Sequence, residues 1–244
     1  ILFLQDVVQN NFIDCCLNFI KLKFVSYFDL LIPISQSIID DFKLPKEKCI
    51  LFQGGLTEIA YKMQQRCLND KIDLIPKVVF AGRLEKYNGI DKVINYWLAN
   101  DLSYELHIYG SGSCESLVIE KSKTNPKIKF FGNVSDEKVN IAQFNSAANL
   151  CLRYSIGLNE NYFFPSKIYN LMSAPGLTII NNFNNLSKGM INNSVLLNND
   201  LENLNLILKK PISFDLRKYV KKIEWLDKKA NWFNLLKDIK VKLN

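Results

Sequence analysis

The sequence predicts an α/β fold: a Rossmann-like parallel sheet flanked by helices, preceded by part of a second α/β unit. From Lys77 onward, short strand-like runs alternate with helix-like runs. The strand runs are apolar throughout rather than at every second residue, as expected of strands covered on both faces. With 48% hydrophobic content over 244 residues, the chain can bury a sizeable core.

The elements follow in order. NNFIDCCLNFIKLKFV (10–25) reads as a helix, FDLLIPIS (28–35) as a strand, SQSIIDDFK (35–43) as a capped helix, and KCILFQGG (48–55) as a strand ending in a glycine turn. A linker is expected over about 54–76. KVVFAG (77–82) opens the main sheet, and GIDKVINYWLAN (89–100) places Ile90, Val93, Ile94, Trp97 and Leu98 on one helical face. YELHIYG (104–110), KIKFFGNV (127–134), ANLCLRY (148–154), LTIINN (177–182) and SVLLN (194–198) are the further strands. SCESLVIEKSK (113–123), SDEKVNIAQFNSA (135–147) and the run after Pro165 are the helices between them; Ser135 is an N-cap followed by acidic residues. Ala174-Pro175-Gly176 stops the helix after Pro165. Beyond Pro211, Leu216, Tyr219, Val220, Ile223, Leu226, Ala230 and Phe233 recur at helical spacing. This divides the chain into 1–62, the end of one α/β domain with its linker; 63–210, the Rossmann-like domain; and 211–244, a basic amphipathic C-terminal helix crossing back. The first residues read as mid-domain sequence, not as a signal peptide, so the N-terminal domain is expected to be incomplete.

Composition narrows the function. No window approaches the roughly 18 apolar residues of a spanning helix. The six cysteines form no CxxC, and His107 is the only histidine, so neither a zinc pattern nor a disulfide framework is visible; reduced thiols of a cytosolic protein are expected. The net charge is +7, and the segment 209–244 alone holds eleven Lys and Arg against four Asp and Glu, which equals the whole excess. That charge suits a solvated helix face or attraction to an anionic membrane surface. No stacking platform or nucleic-acid motif accompanies it, which disfavours nucleic acid as a partner.

In a doubly wound sheet the chemistry lies beyond the C-terminal strand ends. Three such ends suit one kind of ligand. In AGRLEKYNGI, Gly82 allows a tight turn and Arg83 supplies a planar fork for phosphate oxygens. YGSGSCES is a small-residue loop entering a helix, with backbone N–H groups free for an anion. In FFPSKIYN, Ser166 is placed to cap the helix and Lys167 adds a point charge to its positive end. Singly each is a common turn; together they describe a diphosphate site.

These same residues resemble a known family. VVFAGRL with NGI, then YELHIYGSGS, KIKFFGNVSDEKV and FFPSKIYNLMSAPGLTII are similar, in that order, to the C-terminal donor-binding domain of glycosyltransferase family 4, which has the two-domain GT-B fold. The likeness covers about 77–200; DLLIPISQSIIDDF and IEWLDKKANWFNLLKDI resemble the end of the acceptor-side domain and the terminal helix that crosses back. The resemblance implies retaining, metal-independent transfer of a sugar from a UDP- or GDP-sugar to a glycan or glycolipid acceptor. It further implies surface polysaccharide biosynthesis in bacterial style, in the cytoplasm and peripherally at the inner face of the membrane. No Asp-x-Asp occurs, so Arg83, Lys167 and helix N-termini would neutralise the diphosphate, and no cofactor is expected.

By motif position, Arg83 and Lys167 are the catalytic cations and Gly82 keeps the backbone close to phosphate. Ser111, Gly112, Gly132, Asn133 and Val134 surround the base, while Pro165 and Ser166 begin the phosphate-binding helix. Two positions depart from the family. Asn88 stands where many members carry Lys, with Lys86 as a stand-in; Asn170 stands where a Glu usually grips the ribose. An amide accepts with one oxygen and lacks charge assistance, which weakens that contact by roughly 1–2 kcal/mol. Glu160 is an alternative sugar contact, and His107, inside a strand, is expected to pack. A non-catalytic partner of an active transferase, and a nucleotide-sugar epimerase, are the alternative functions.

Overall fold

The computed structural model describes residues 1–4, 24–154, 160–198 and 200–243. Its main sheet has six parallel strands: β3 (Ile75–Ala81), β4 (Glu105–Tyr109), β5 (Ile128–Phe130), β6 (Ser146–Cys151), β7 (Leu177–Asn181) and β8 (Val195–Leu197). They lie in the order β5-β4-β3-β6-β7-β8, so β3 and β6 are central neighbours and the chain winds outward from them in both directions. That is the doubly wound order, with its crevice at the C-terminal ends of β3 and β6. Ahead of it, β1 (Leu2–Leu4) pairs in parallel with β2 (Leu31–Pro33).

Both faces of the sheet are covered, which accounts for the continuous apolar strands. Val78 and Phe80 pack on one face with Ile90, Val93, Ile94 and Trp97 of helix α3 (Ile90–Ala99). Val79 and Ala81 point to the other, toward Val139 and Ala142 of α5 (Asp136–Phe144). Each fully buried Val, Ile or Phe among them contributes about 1.5–3 kcal/mol by leaving water. Trp97 is buried, and its indole N–H donates to Tyr104 O at 3.0 Å. Leu98, expected beside it, is 41% exposed: one residue on, it sits about 100° around the helix, past the edge of the apolar stripe.

The helices α1 (Gln36–Asp41) and α4 (Glu115–Thr124) form as expected, α1 capped by Ser35. Ser135 caps α5, its Oγ accepting from Lys138 N at 3.4 Å. Helix α6 (Lys167–Ser173) ends at Ala174, and Gly176 then passes so close to β6 that a Cβ there would lie 2.2 Å from Ser146 O.

Three expectations need correction or restriction. KCILFQGG is not a strand of a sheet: it makes a single parallel bridge, Leu31↔Cys49, and runs beside β2 with Ile50 N and Phe52 N donating to Leu31 O and Pro33 O. A parallel ladder needs the return donation from residue 33, and proline has no N–H. The expected linker contains a twelve-residue helix, α2 (Glu58–Asn69), capped by Thr57 and burying Ala60, Gln64 and Cys67 at i, i+4, i+7. A polar Gln64 in the middle of that stripe hid its periodicity. The proposed helix over 10–25 falls almost wholly outside the described residues, as do Cys15 and Cys16; Cys49, Cys67, Cys114 and Cys151 are free thiols.

Candidate donor site

The loops after β3, β4 and β5 are joined to one another by their backbones. Gly82 N donates to Tyr109 O at 3.0 Å, Leu84 N to Ser111 O at 2.9 Å, and Gly110 N to Gly132 O at 2.8 Å. A Cβ at Gly110 would lie 1.9 Å from Gly82 O, so only glycine permits this approach. Above them opens a cavity of about 440 Å³ between the sheet's C-terminal edge, α5, α6 and the start of α2.

Gly82, Arg83, Ser111, Asn133, Val134, Lys167 and Asn170 all line this cavity, brought together from four loops. Lys167 sits half-buried at the first turn of α6; its Nζ donates to Ala81 O at 3.3 Å and lies 5.8 Å from the centre of the Phe80 ring. The amine hangs over Gly82, where a Cβ would stand 2.9 Å from it. Arg83 is exposed at the cavity mouth, and neither cation has a carboxylate partner among the described residues. The two positive charges face one carboxylate in the lining, Asp136. A multiply charged anion with oxygens to share complements such a mouth.

Four expected residues support the cavity without lining it. Gly132 contributes its carbonyl to Gly110, and Gly112 lies against the Leu84 backbone, where a Cβ would be 2.7 Å from its oxygen. Pro165 precedes α6 and accepts from Ile168 N at 2.9 Å. Ser166 does not cap the helix as expected: its φ of −53° and ψ of −25° are already helical, whereas a capping side chain needs extended backbone. Its Cβ instead faces Gly54, where another Cβ would be 2.8 Å away.

Asn170 is at the cavity, but its Oδ1 accepts from Thr57 N at 3.0 Å. Asn88 is buried; its Nδ2 donates to Arg83 O at 2.9 Å and so ties the loop that carries Arg83. Lys86 is exposed and outside the lining. Glu160 is also outside it, accepting from Asn184 N at 3.3 Å. His107 packs as expected, with Nε2 2.8 Å from Glu105 Oε2 and its ring against Phe131.

Sequence reasoning missed Arg153, two residues beyond the end of β6. Arg153 is 8% exposed; its guanidinium lies 4.5 Å from the Tyr87 ring centre and 3.8 Å from that of Phe163, and Nη1 reaches Asn88 Oδ1 at 3.5 Å. Asn181 holds its backbone from both sides, donating to Arg153 O at 2.6 Å and accepting from Arg153 N at 2.7 Å. Burial pushes the Cys151 thiol up, and Lys167 and Arg153 oppose that rise, so both cations stand near the end of β6. The expected strand ANLCLRY ran through Arg153, whereas β6 ends at Cys151, so the strand-end rule that marked the other loops passed it over. Thr57, Ile59, Asn140 and Gln143 also line the cavity and belong to none of the stretches that marked it in the sequence.

No protein-family model matches the chain, and no curated protein does. Solved structures do. HepE of Anabaena, in complex with UDP, matches at a TM-score of 0.69 and 14% identity over 99% of this chain and 71% of that one. A glycosyltransferase from Rickettsia africae matches at 0.62 and 15%, over 90% and 66%; the lipopolysaccharide outer core galactosyltransferase WaaB matches at 0.58 and 17%, over 82% and 58%. The fold is of the GT-B type. In this GT-B chain the six-stranded sheet supplies the cavity floor, and α2 and α6 meet at its wall. The chain spans roughly three-fifths to seven-tenths of the length of these three neighbours.

Proposed function

We propose that the protein is a retaining, metal-independent glycosyltransferase of family 4 type that moves a sugar from a UDP- or GDP-sugar to a glycan or glycolipid acceptor in surface polysaccharide biosynthesis. The observation that carries the reading is the meeting of Lys167 and Arg83 at one cavity, neither of them in a salt bridge among the described residues. The bond between the sugar's anomeric carbon and the diphosphate breaks, the leaving oxygen gains negative charge, and the acceptor hydroxyl adds to the carbon from the same face while its proton passes to the released diphosphate. Cations preorganised around the leaving diphosphate lower that barrier, and losing one such group typically costs about 10²- to 10³-fold in rate. Ser111, Asn133 and Val134, which line the cavity, surround the base. The whole enzyme works in the cytoplasm, at the inner face of the membrane.

A nucleotide panel in a thermal-shift assay tests this, because ligand at about 100 times its Kd adds roughly 2.7 kcal/mol. The expected result is stabilisation by UDP or GDP and their sugars, and none by nucleosides lacking phosphate. A second reading, a non-catalytic partner of an active transferase, is favoured by one observation: the oxygen of Asn170 is engaged by Thr57 instead of being turned to a ligand. Absence of any nucleotide shift would support that reading over the first.

A further inference from the structure

The C-terminal segment, expected as one helix, forms two, α9 (Leu216–Lys229) and α10 (Trp232–Leu243), because the backbone leaves the helical region at Ala230; both carry charge and apolar surface that the donor site does not use. Helix α10 packs inward through Leu235 and Ile239 against Leu30 and Ile32. A surface helix with one such stripe is expected to be polar elsewhere. Instead Phe233 is 74% exposed, Leu236 52%, Leu243 49% and Trp232 43%. Phe233, Leu236, Lys240 and Leu243 follow a 3-4-3 spacing, so they share a second face of the same helix, turned roughly a quarter-turn from the first. Lys237 flanks this face and Lys240 lies within it; Lys228 and Lys229, also exposed, lie just before the helix.

From this we infer that the outer face of α10 is a membrane-contacting surface for anionic lipid. An exposed apolar stripe set among lysines is what a helix lying in the interface plane requires: Trp, Phe and Leu enter the acyl boundary while ammonium groups meet phosphate headgroups. Lysine stems are long enough to keep their charge at headgroup level while their methylenes lie along the apolar layer. The net +7 of 209–244 adds long-range attraction to the same surface. A second copy of the chain fits less well, because a two-fold pairing of this face brings its lysines against themselves. The inference deepens the membrane-face part of the proposed function and rests on it, while the face shares no residue with the donor cavity.

Co-flotation of the full chain with vesicles tests it, comparing phosphatidylcholine alone with phosphatidylcholine containing about 30% phosphatidylglycerol, near 0.1 M salt. Binding to the anionic vesicles only is expected, falling with added salt. Phe233→Ser with Leu236→Ser should weaken it about tenfold or more. Lys237→Gln with Lys240→Gln should weaken it by about the same factor and flatten the salt dependence. Unchanged binding by both double variants overturns the inference, as does equal binding to both vesicle types. Self-association in sedimentation equilibrium that the apolar variant abolishes, without vesicle binding, also overturns it in favour of a second copy. UDP affinity of the variants, expected to be unchanged, keeps this outcome separate from any failure of the donor site.

Discussion

Thr57 N–H donates to Asn170 Oδ1 at 3.0 Å, joining the first turn of α2 to the middle of α6 at the wall of the cavity. The partner oxygen lies at a helix N-terminus, where negative charge is favoured. Asn170→Ala should therefore cost about 0.5–1.5 kcal/mol of stability in urea unfolding. Asn170→Glu should retain the Thr57 contact as a charge-assisted one and leave a second carboxylate oxygen for a ribose hydroxyl. Calorimetric titration should then show UDP binding about five- to tenfold tighter than in the parent protein; no gain would mean that residue 170 serves only the helix junction.

Lys167 and Gly82 are expected to behave as one unit, because the amine occupies the space a side chain at 82 would need. Lys167→Ala should weaken UDP or GDP binding at least about tenfold and cut turnover by a similar factor or more. Gly82→Ala should do much the same by a different route. Its φ of +139° strains any other residue, and the new methyl would stand 2.9 Å from the ammonium and push it off its perch on Ala81 O. The pair of variants combined should lose little more than Lys167→Ala alone, which a double-mutant cycle on nucleotide affinity would measure.

How much of this was legible in the sequence follows from the kind of signal each feature leaves. The six-stranded sheet was visible because fully covered strands such as KVVFAG carry their burial in composition. Helix α2 was not, because its buried stripe runs Ala60, Gln64, Cys67 and only one of those is strongly apolar. The convergence of Arg83 and Lys167 could be argued from strand ends alone. The failure of Ser166 as a cap could not, since it turns on backbone angles that a Pro-Ser-Lys motif leaves open. Arg153 was hidden because the apolar run around it reads as strand up to Tyr154, and its role comes from two rings, Tyr87 and Phe163, that are distant in sequence and meet only in the fold.

Arg153→Met should destabilise the protein by about 1–3 kcal/mol, because the guanidinium's place between two rings and its contact with Asn88 are lost together. Arg153→Lys should recover little of this, since an ammonium cannot stack in a planar slot. Asn88 orients the carbonyl of Arg83, so both variants should also weaken nucleotide binding, with a smaller effect than Arg83→Ala itself. Urea unfolding paired with calorimetric titration separates the two effects; a stability loss with unaltered affinity would confine Arg153 to the scaffold.

Lys222 predicts a pH dependence. It is almost fully buried on α9, donates to Ala174 O at 2.7 Å just beyond the end of α6, and loss of water drives its pKa down to about 8, with Cys67 opposing the shift. The folded protein thus holds this proton less tightly than the unfolded chain, whose lysine titrates near 10.5. The stability it contributes is complete above the unfolded value and is lost as pH falls from there through about 8. Stability should accordingly rise between pH 7 and 9.5 by about 2 kcal/mol relative to Lys222→Met, in which the slope is absent. Above about pH 10 the trend should reverse, because burial raises the pKa of Tyr154 to about 12 and also raises those of Tyr169 and Tyr219, so the folded state then keeps protons the unfolded chain releases. Urea midpoints of both proteins measured across this range decide it; parallel curves would mean that Lys222 stays charged in its buried site.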